Sequence, residues 1–346
     1  MISIVNYSNS IFRSIGFLIL LVGFLFNSCN NAAESKKIIQ GHAQGTTYSI
    51  SYYSKDKVIL KAEIDSLLDN FDLSLSTYVP HSIVSRINNN DSTVIVDNYF
   101  TIVFEKSMEL AELSHGYFDV TIAPVVNAWG FGFNSKSEVD SSTIAQLLNI
   151  VGYKKVKLED KHVIKENINT MLDFNAIAQG YSVDVLAQYF QLKGIKDFLI
   201  EIGGETRASG YKPNTESWKV GIDKPLENPE QRQLTARVKL NDKALATSGN
   251  YRKFYEENGN KFSHTINPHT GFPARNNLLS ATVIAADCMS ADAFATLFMV
   301  IGMERSLEFI KNHEELYLEV YFIYDDNGKM KSYFSEGLLE SLEEFN

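Results

Sequence analysis

Apolar residues recur along the chain at two spacings, one typical of strands and one typical of helices. β-Branched and aromatic residues dominate Thr46 to Ser54, which predicts a strand. Apolar residues at helical spacing predict helices from Asp56 to Asp72 and from Ile177 to Phe190. Strands and helices follow one another without strict alternation. The pattern therefore predicts an α+β or mixed α/β fold, with mixed sheets flanked by helices.

Other segments extend this prediction. Phe198 to Glu205 is predicted to be a buried strand that runs into a Gly-Gly turn. The last helices are predicted to begin at Ala291 and Met303. Because no internal repeat or Pro/Gly-rich linker divides residues 41–346, these residues are predicted to form a single large unit.

The N-terminal residues are predicted to lie outside the fold. An apolar run from Ile15 to Phe26 is short for a membrane span and is typical of a signal peptide. It ends just before Cys29, as in a bacterial lipoprotein. We therefore predict a lipoprotein signal peptide at residues 1–28, a lipidated Cys29 and a tether at residues 29–40. The alternatives are an ordinary signal peptide and an uncleaved anchor.

Composition narrows the class of protein. The chain has 346 residues, 45% of them hydrophobic, which is enough for a sizeable core. The formal net charge is -10, and the sequence contains no cluster of basic residues. Nucleic acid is therefore not expected as a partner. With Cys29 assigned to a lipid, Cys288 has no disulfide partner and is predicted to be a small buried residue. The export signal predicts a cell-envelope protein, lipid-anchored and facing the periplasm.

The segment from Ser290 to Thr296 carries the first candidate site. Asp292 and Thr296 are four residues apart in an apolar run, so in a helix they share one face. A carboxylate and a hydroxyl are hard oxygen ligands of the kind that suit Mg²⁺. The alternative is a helix N-terminus with a partly buried, hydrogen-bonded Asp.

Polar side chains beside two predicted turns are further candidates. Asp173 precedes a helix N-terminus, which suits phosphate, and both Asp173 and Gln179 could bind a ligand's polar edge. Alternatively, Asp173 or Asn175 caps the helix. His264 follows a predicted strand and is a candidate general base, unless it only ties down the turn.

Aromatic segments and a polar loop complete the candidates. Tyr117 and Phe118 could stack on a planar heterocycle with Asp119 as an acceptor, or they could be core aromatics beside a turn. Tyr78 precedes a turn and could face a ligand. Residues 247–250, T-S-G-N, predict a polar loop with backbone donors. No Walker A loop, dinucleotide fingerprint, zinc-type cluster or G-x-S-x-G motif is present in the sequence.

Taken in order, these segments resemble the FAD:protein FMN transferase (ApbE) family. The resemblance is carried by G-T-T-Y-S-I, L-S-T-Y, G-Y-F-D-V-T-I-A-P, D-F-N-A-I-A-Q-G-Y, I-E-I-G-G-E, A-T-S-G-N-Y-R, H-T-I-N-P-H-T-G and S-A-D-A-F-A-T. It covers nearly the whole chain after the tether. It implies a catalytic unit with a flavin cleft that moves FMN from FAD onto a Thr hydroxyl of a target protein, with Mg²⁺, and releases AMP.

The resemblance also implies roles for individual residues. Asp292 and Thr296 would bind Mg²⁺ through their side chains and Ala176 through its backbone carbonyl, while His264 would deprotonate the acceptor Thr. The implied FAD contacts are Gln44, Tyr78, Tyr117, Phe118, Asp119, Asp173, Gln179 and Ile266.

Two residues depart from the family pattern. Gln44 stands where the family usually has Met, and Asn267 stands where it usually has Asp. Asn267 serves if that position only shapes the turn, and weakens activity if the position orients the His. The implied partners are FAD, envelope redox proteins with an acceptor Thr, and the membrane through a lipid anchor. The alternatives are an Mg²⁺-dependent FAD pyrophosphatase, a non-catalytic flavin-binding lipoprotein and an unrelated solute-binding lipoprotein.

Overall fold

The computed structural model describes residues 34–132, 140–226, 233–250, 254–257, 260–263 and 265–345. The predicted signal peptide, the lipidation site Cys29 and the candidate base His264 lie outside the described residues. The architecture below lies in the compact unit Lys36–Asn346, together with Ser35, the first residue of β1.

Eight α-helices occur in the described ranges. They are α1 Lys61–Leu75, α2 Ile83–Asn88, α3 Asn98–Leu113, α4 Ala123–Ala128, α5 Ser141–Leu148, α6 Ala178–Leu192, α7 Cys288–Ile301 and α8 Met303–Asn312. The strands are β1 Ser35–Ala43, β2 Thr46–Ser54, β3 Val156–Glu159, β4 His162–Lys165, β5 Phe198–Ile202, β6 Glu205–Ser209, β7 Trp218–Asp223, β8 Leu234–Leu240, β9 Ala244–Gly249, β10 Phe254–Glu257, β11 Asn260–Ser263, β12 Leu278–Ala285, β13 Glu319–Asp326, β14 Lys329–Phe334 and β15 Leu342–Glu344. No helix among these residues is both long and apolar enough to cross a membrane.

An eight-stranded sheet with the order β1-β2-β5-β6-β9-β12-β13-β14 forms the centre of the fold. The ladders from β2 to β14 are antiparallel. Two-residue turns at Gln44-Gly45, Gly203-Gly204 and Asn327-Gly328 join neighbouring strands, and all six residues have positive φ, as such turns require. The predicted α+β class is confirmed, and two-residue hairpins form three of the seven strand pairings of the main sheet.

The main sheet is covered on both faces. Helices α6 and α7 pack on one face, and a three-stranded sheet, β15-β8-β7, packs on the other. Strand β13 shows both contacts: Val320 and Phe322 lie in the core on the helix side, while Tyr321 and Ile323 lie in the core beneath the small sheet. A strand buried on both faces is apolar at consecutive positions, which is why this segment lacks alternation.

Several predicted elements are confirmed, and two helices begin at residues other than those predicted. Strand β2 has the predicted bounds. Helix α1 begins at Lys61 rather than Asp56, because the Glu63 carboxylate accepts the Leu60 N–H at 2.8 Å and fixes the first turn there. Helix α7 begins at Cys288 rather than Ala291, because the Asp287 side chain caps it.

Two segments predicted to lack regular structure are strands. Residues 35–40, placed in the tether from sequence, belong to β1, which pairs with β2 at the sheet edge. Residues 247–249, predicted to be a polar loop, belong to β9, where Thr247 pairs with Thr282 of β12. In both cases strand pairing outweighs polar composition.

Candidate functional site

Asp292 is a buried carboxylate that lies against the start of another helix. Asp292 is 6% exposed. It belongs to α7, and the neighbouring residues Ala291, Ala293 and Phe294 are also buried. Its Oδ2 accepts a hydrogen bond from the N–H of Gly180, in the first turn of α6, at 3.0 Å. First-turn N–H groups have no intrahelical partner, so Asp292 satisfies one that would otherwise be buried unpaired.

Gly180 makes this contact possible. A Cβ atom at this position would lie 2.7 Å from the Cβ of Asp292, and closer still to the carbonyl oxygen of Cys288. Any other residue would therefore push α6 and α7 apart. The close approach explains a glycine in a helix that is otherwise regular.

A second carboxylate makes the reverse contact. Asp184, on α6, accepts hydrogen bonds from the N–H groups of Cys288 at 3.0 Å and Met289 at 2.8 Å, in the first turn of α7. It also pairs with Arg207 of β6. Sequence reasoning missed Asp184, Arg207 and Gly180. The available signal was an Asp between Val183 and Val185 on a predicted buried helix face.

Three oxygen atoms on or next to these two helices are candidate cation ligands. Asp292 Oδ1 accepts no hydrogen bond from a described residue, and neither does the backbone carbonyl of Ala176, which precedes α6. Thr296 lies one turn after Asp292 and shares a hydrogen bond of 3.1 Å with Ser248 of β9. A carboxylate, a hydroxyl and a carbonyl suit a hard cation. Within the described ranges no cluster of three or more His, Cys, Asp or Glu forms a zinc-type site.

Burial sets the electrostatics of Asp292. Loss of water raises the pKa of this carboxyl from 3.8 to about 7, and the hydrogen bond from Gly180 offsets only part of that effect. No cationic side chain contributes. A buried carboxyl without a positive partner is either protonated or balanced by a bound cation, which makes Asp292 a candidate cation ligand.

Asp173 and Asp119 are joined by a backbone contact, and both carboxylates accept hydrogen bonds within the protein. The N–H of Asp173 donates to the Val120 carbonyl at 2.8 Å, and its carboxylate accepts the N–H of Asn175. Neither Asp173 nor Asn175 caps α6. Asp119 is buried, and its carboxylate binds the N–H and hydroxyl of Thr121 and the N–H of Tyr153. Burial raises the pKa of both aspartates.

Tyr117 lies between a histidine and an arginine. Its ring centroid is 4.2 Å from that of His269, and the guanidinium carbon of Arg305 lies 4.3 Å from it. These contacts join the Tyr117 segment to the turn containing Ile266, whose side chain is buried beside Trp129. Phe118 is a core residue, as the alternative interpretation predicted.

Two glutamine side chains make hydrogen bonds at the start of α6. Gln179 donates to the Ile202 carbonyl at 3.1 Å and to the Glu205 carboxylate at 2.7 Å, across the Gly203-Gly204 turn. Gln44 accepts the hydroxyl hydrogen bond of Ser182 at 3.1 Å. Both side chains are thus held at the start of α6. Tyr78 is 65% exposed on the loop after α1.

Together these observations define an α+β protein with a candidate cation site of oxygen ligands between two helices that cap each other. A model of the ApbE family matches residues 44–322. The chain belongs to this family.

Individual relatives agree with this assignment. An FAD:protein FMN transferase of Vibrio cholerae is 36% identical over 299 residues, covering 84% of this chain and 87% of the relative. The structure "Flavin Transferase ApbE from Vibrio cholerae" matches with a TM-score of 0.78 at 31% identity, covering 89% of this chain and 100% of that one. The Pseudomonas stutzeri flavinyl transferase ApbE, in its apo form, matches with a TM-score of 0.79 at 26% identity, covering 89% and 97%.

The close approach at Gly180 predicts that replacing this glycine lowers the free energy of unfolding, the reverse of the usual effect in a helix. Gly→Ala inside an open helix stabilises a protein by about 0.5–1 kcal/mol. Gly180→Ala should instead lower the free energy of unfolding by about 1–3 kcal/mol, because the new methyl group meets Cys288 and Asp292. Urea denaturation measures the effect, with exposed Gln188→Ala on the same helix as the control. A stabilised Gly180→Ala variant would contradict the close packing.

The raised pKa of Asp292 predicts a pH dependence in the absence of divalent cations. Since the pKa is about 7 in the folded state and 3.8 for an unperturbed Asp carboxyl, folding favours the protonated form, and this stabilisation is lost as pH rises through about 7. Asp292→Asn should therefore gain stability relative to wild type between pH 5 and pH 8, by more than about 1.4 kcal/mol, the equivalent of one pKa unit. Chemical denaturation in EDTA at each pH measures this difference. A difference that does not change with pH would show that Asp292 titrates normally.

Proposed function

We propose that the protein transfers FMN from FAD to a Thr hydroxyl of a target protein and releases AMP, in a reaction that requires Mg²⁺. Family membership and the names of the relatives support the transfer. The observation that carries the metal requirement is the buried Asp292 carboxylate, which has a free oxygen and no cationic partner.

Three residues would hold Mg²⁺: Asp292 and Thr296 through their side chains, and Ala176 through its carbonyl. When bound, the ion would neutralise charge on the phosphoryl oxygens of the FAD diphosphate. The family resemblance makes His264 the general base. The Thr oxygen forms a bond to the FMN phosphorus, the diphosphate P–O bond breaks, AMP leaves, and His264 takes the hydroxyl proton.

The remaining candidates are assigned to flavin binding. Tyr117 offers an aromatic edge between His269 and Arg305, and Gln179 and Gln44 lie beside the first turn of α6. The full proposed set of FAD contacts is Gln44, Tyr78, Tyr117, Phe118, Asp119, Asp173, Gln179 and Ile266. The carboxylate of Asp119 is already hydrogen-bonded three times, so besides its proposed FAD contact it would fix the loop that presents Tyr117.

We also propose the location and partners from the N-terminal sequence. Residues 1–28 would be removed as a signal peptide, and Cys29 would carry a lipid that anchors the protein in the cell envelope, facing the periplasm. The transferase unit would then begin at β1. Its protein substrates would be envelope redox proteins with an acceptor Thr.

One assay tests the reaction. Purified protein is incubated with FAD, Mg²⁺ and a target domain that bears an acceptor Thr, and flavin fluorescence in the gel and free AMP are measured. We expect a fluorescent target band together with AMP. Release of AMP and FMN without a band would identify a pyrophosphatase instead, and intact bound FAD would exclude both enzymes.

Removal of the proposed metal ligand gives a second test. Asp292→Ala should reduce Mg²⁺-dependent turnover by at least about 100-fold, because it removes the charged ligand. Glu308→Ala, an exposed carboxylate substitution on α8, is the control and should keep wild-type turnover. Circular dichroism checks that both variants fold. Undiminished turnover of Asp292→Ala would remove this residue from the metal site.

A further inference from the structure

Asp184 lies outside the proposed metal site, yet it contacts the helix that carries two of the proposed ligands. Building on the proposed function, we infer that Asp184, paired with Arg207, is a positioning residue that holds α7 against α6, so that Asp292 and Thr296 meet the carbonyl of Ala176 around one ion. The evidence is a set of buried contacts between three elements.

Two carboxylates accept hydrogen bonds from the first turn of α7, but only one of them belongs to another helix. Asp287 accepts the N–H of Ser290 at 2.7 Å, but it is the N-cap of α7 itself and moves with the helix. Asp184 accepts the N–H groups of Cys288 and Met289 and belongs to α6. Of these two carboxylates, only Asp184 therefore links α7 to α6.

A second contact between the helices lies one turn away. Asp184 follows Gly180 by four residues on α6, and Asp292 follows Cys288 by four residues on α7. The two capping contacts are thus separated by about one helical turn, or roughly 5–6 Å, on each helix. Two such points restrict both the sliding and the rotation of one helix against the other. Ala176 precedes Gly180 by four residues, so the same arrangement also sets its carbonyl relative to Asp292.

Arg207 connects this helix pair to the sheet. The Asp184 side chain is 12% exposed and that of Arg207 is 23% exposed, so the pair is largely removed from water. Strand β6, which carries Arg207, lies between β5 and β9 near the middle of the main sheet. Strand β9 also carries Ser248, the hydrogen-bond partner of Thr296. A buried ion pair adds little net stability compared with apolar side chains, so a role in fixing geometry explains this pair better than stabilisation does.

Calorimetric titration of Mg²⁺ into the metal-free full-length protein, with FAD and without it, tests the inference. Asp184→Asn should weaken Mg²⁺ binding by about 10–100-fold, the range typical for residues that orient metal ligands. Asp287→Asn is the matched control, because Asn is also a good N-cap, and it should change Mg²⁺ affinity less than about twofold. Urea denaturation of each variant measures stability separately from metal binding.

The double variant Asp184→Asn/Arg207→Gln separates positioning from simple charge balance. It leaves no unpaired buried charge, so it should regain stability relative to Asp184→Asn while Mg²⁺ binding stays weak. Recovery of wild-type Mg²⁺ affinity in the double variant, or unchanged affinity in Asp184→Asn, would overturn the inference. A wild-type protein that binds no Mg²⁺ would instead count against the proposed function itself.

Discussion

The reciprocal contact between α6 and α7 is the constraint on which the candidate site depends. Each helix supplies a buried carboxylate to unpaired N–H groups in the first turn of the other, and Gly180 lets the two backbones come close enough. Because the partners of these N–H groups come from the other helix, neither first turn is fully satisfied alone. The fold and the site therefore share the same contacts, and a change at one is felt at the other.

Burial of these carboxylates costs folding free energy, and the way in which that cost is offset differs from one to the next. Taking a carboxylate out of water costs several kcal/mol unless charge or hydrogen bonds compensate. Arg207 offsets part of this cost for Asp184, and three hydrogen bonds offset part of it for Asp119, although burial still raises the pKa of both carboxyls. Asp292 receives only the N–H of Gly180 and keeps a strongly raised pKa. A divalent cation would supply the positive charge that the Asp292 carboxylate lacks.

Local sequence pattern predicted the pair Asp292 and Thr296 but not what surrounds it. Their spacing of four residues is a property of one helix, so it can be read from the sequence. The contact between Gly180 and Asp292 joins segments 112 residues apart, and no local pattern reports it. Strand β1 was missed for a different reason. It is an edge strand with most side chains exposed, and its lysines and polar residues resemble a tether.

The order of the motifs along the chain predicted the family and hence the expected chemistry, which the spacing of single residues could not.

The position of a bound ion tests the account most directly. Anomalous scattering from crystals soaked with Mn²⁺ and FAD would locate it. The account predicts a peak within coordination distance, about 2.1 Å, of Asp292 Oδ1, Thr296 Oγ1 and the Ala176 carbonyl. A peak bound elsewhere, with Asp292 still lacking a cation, would contradict it.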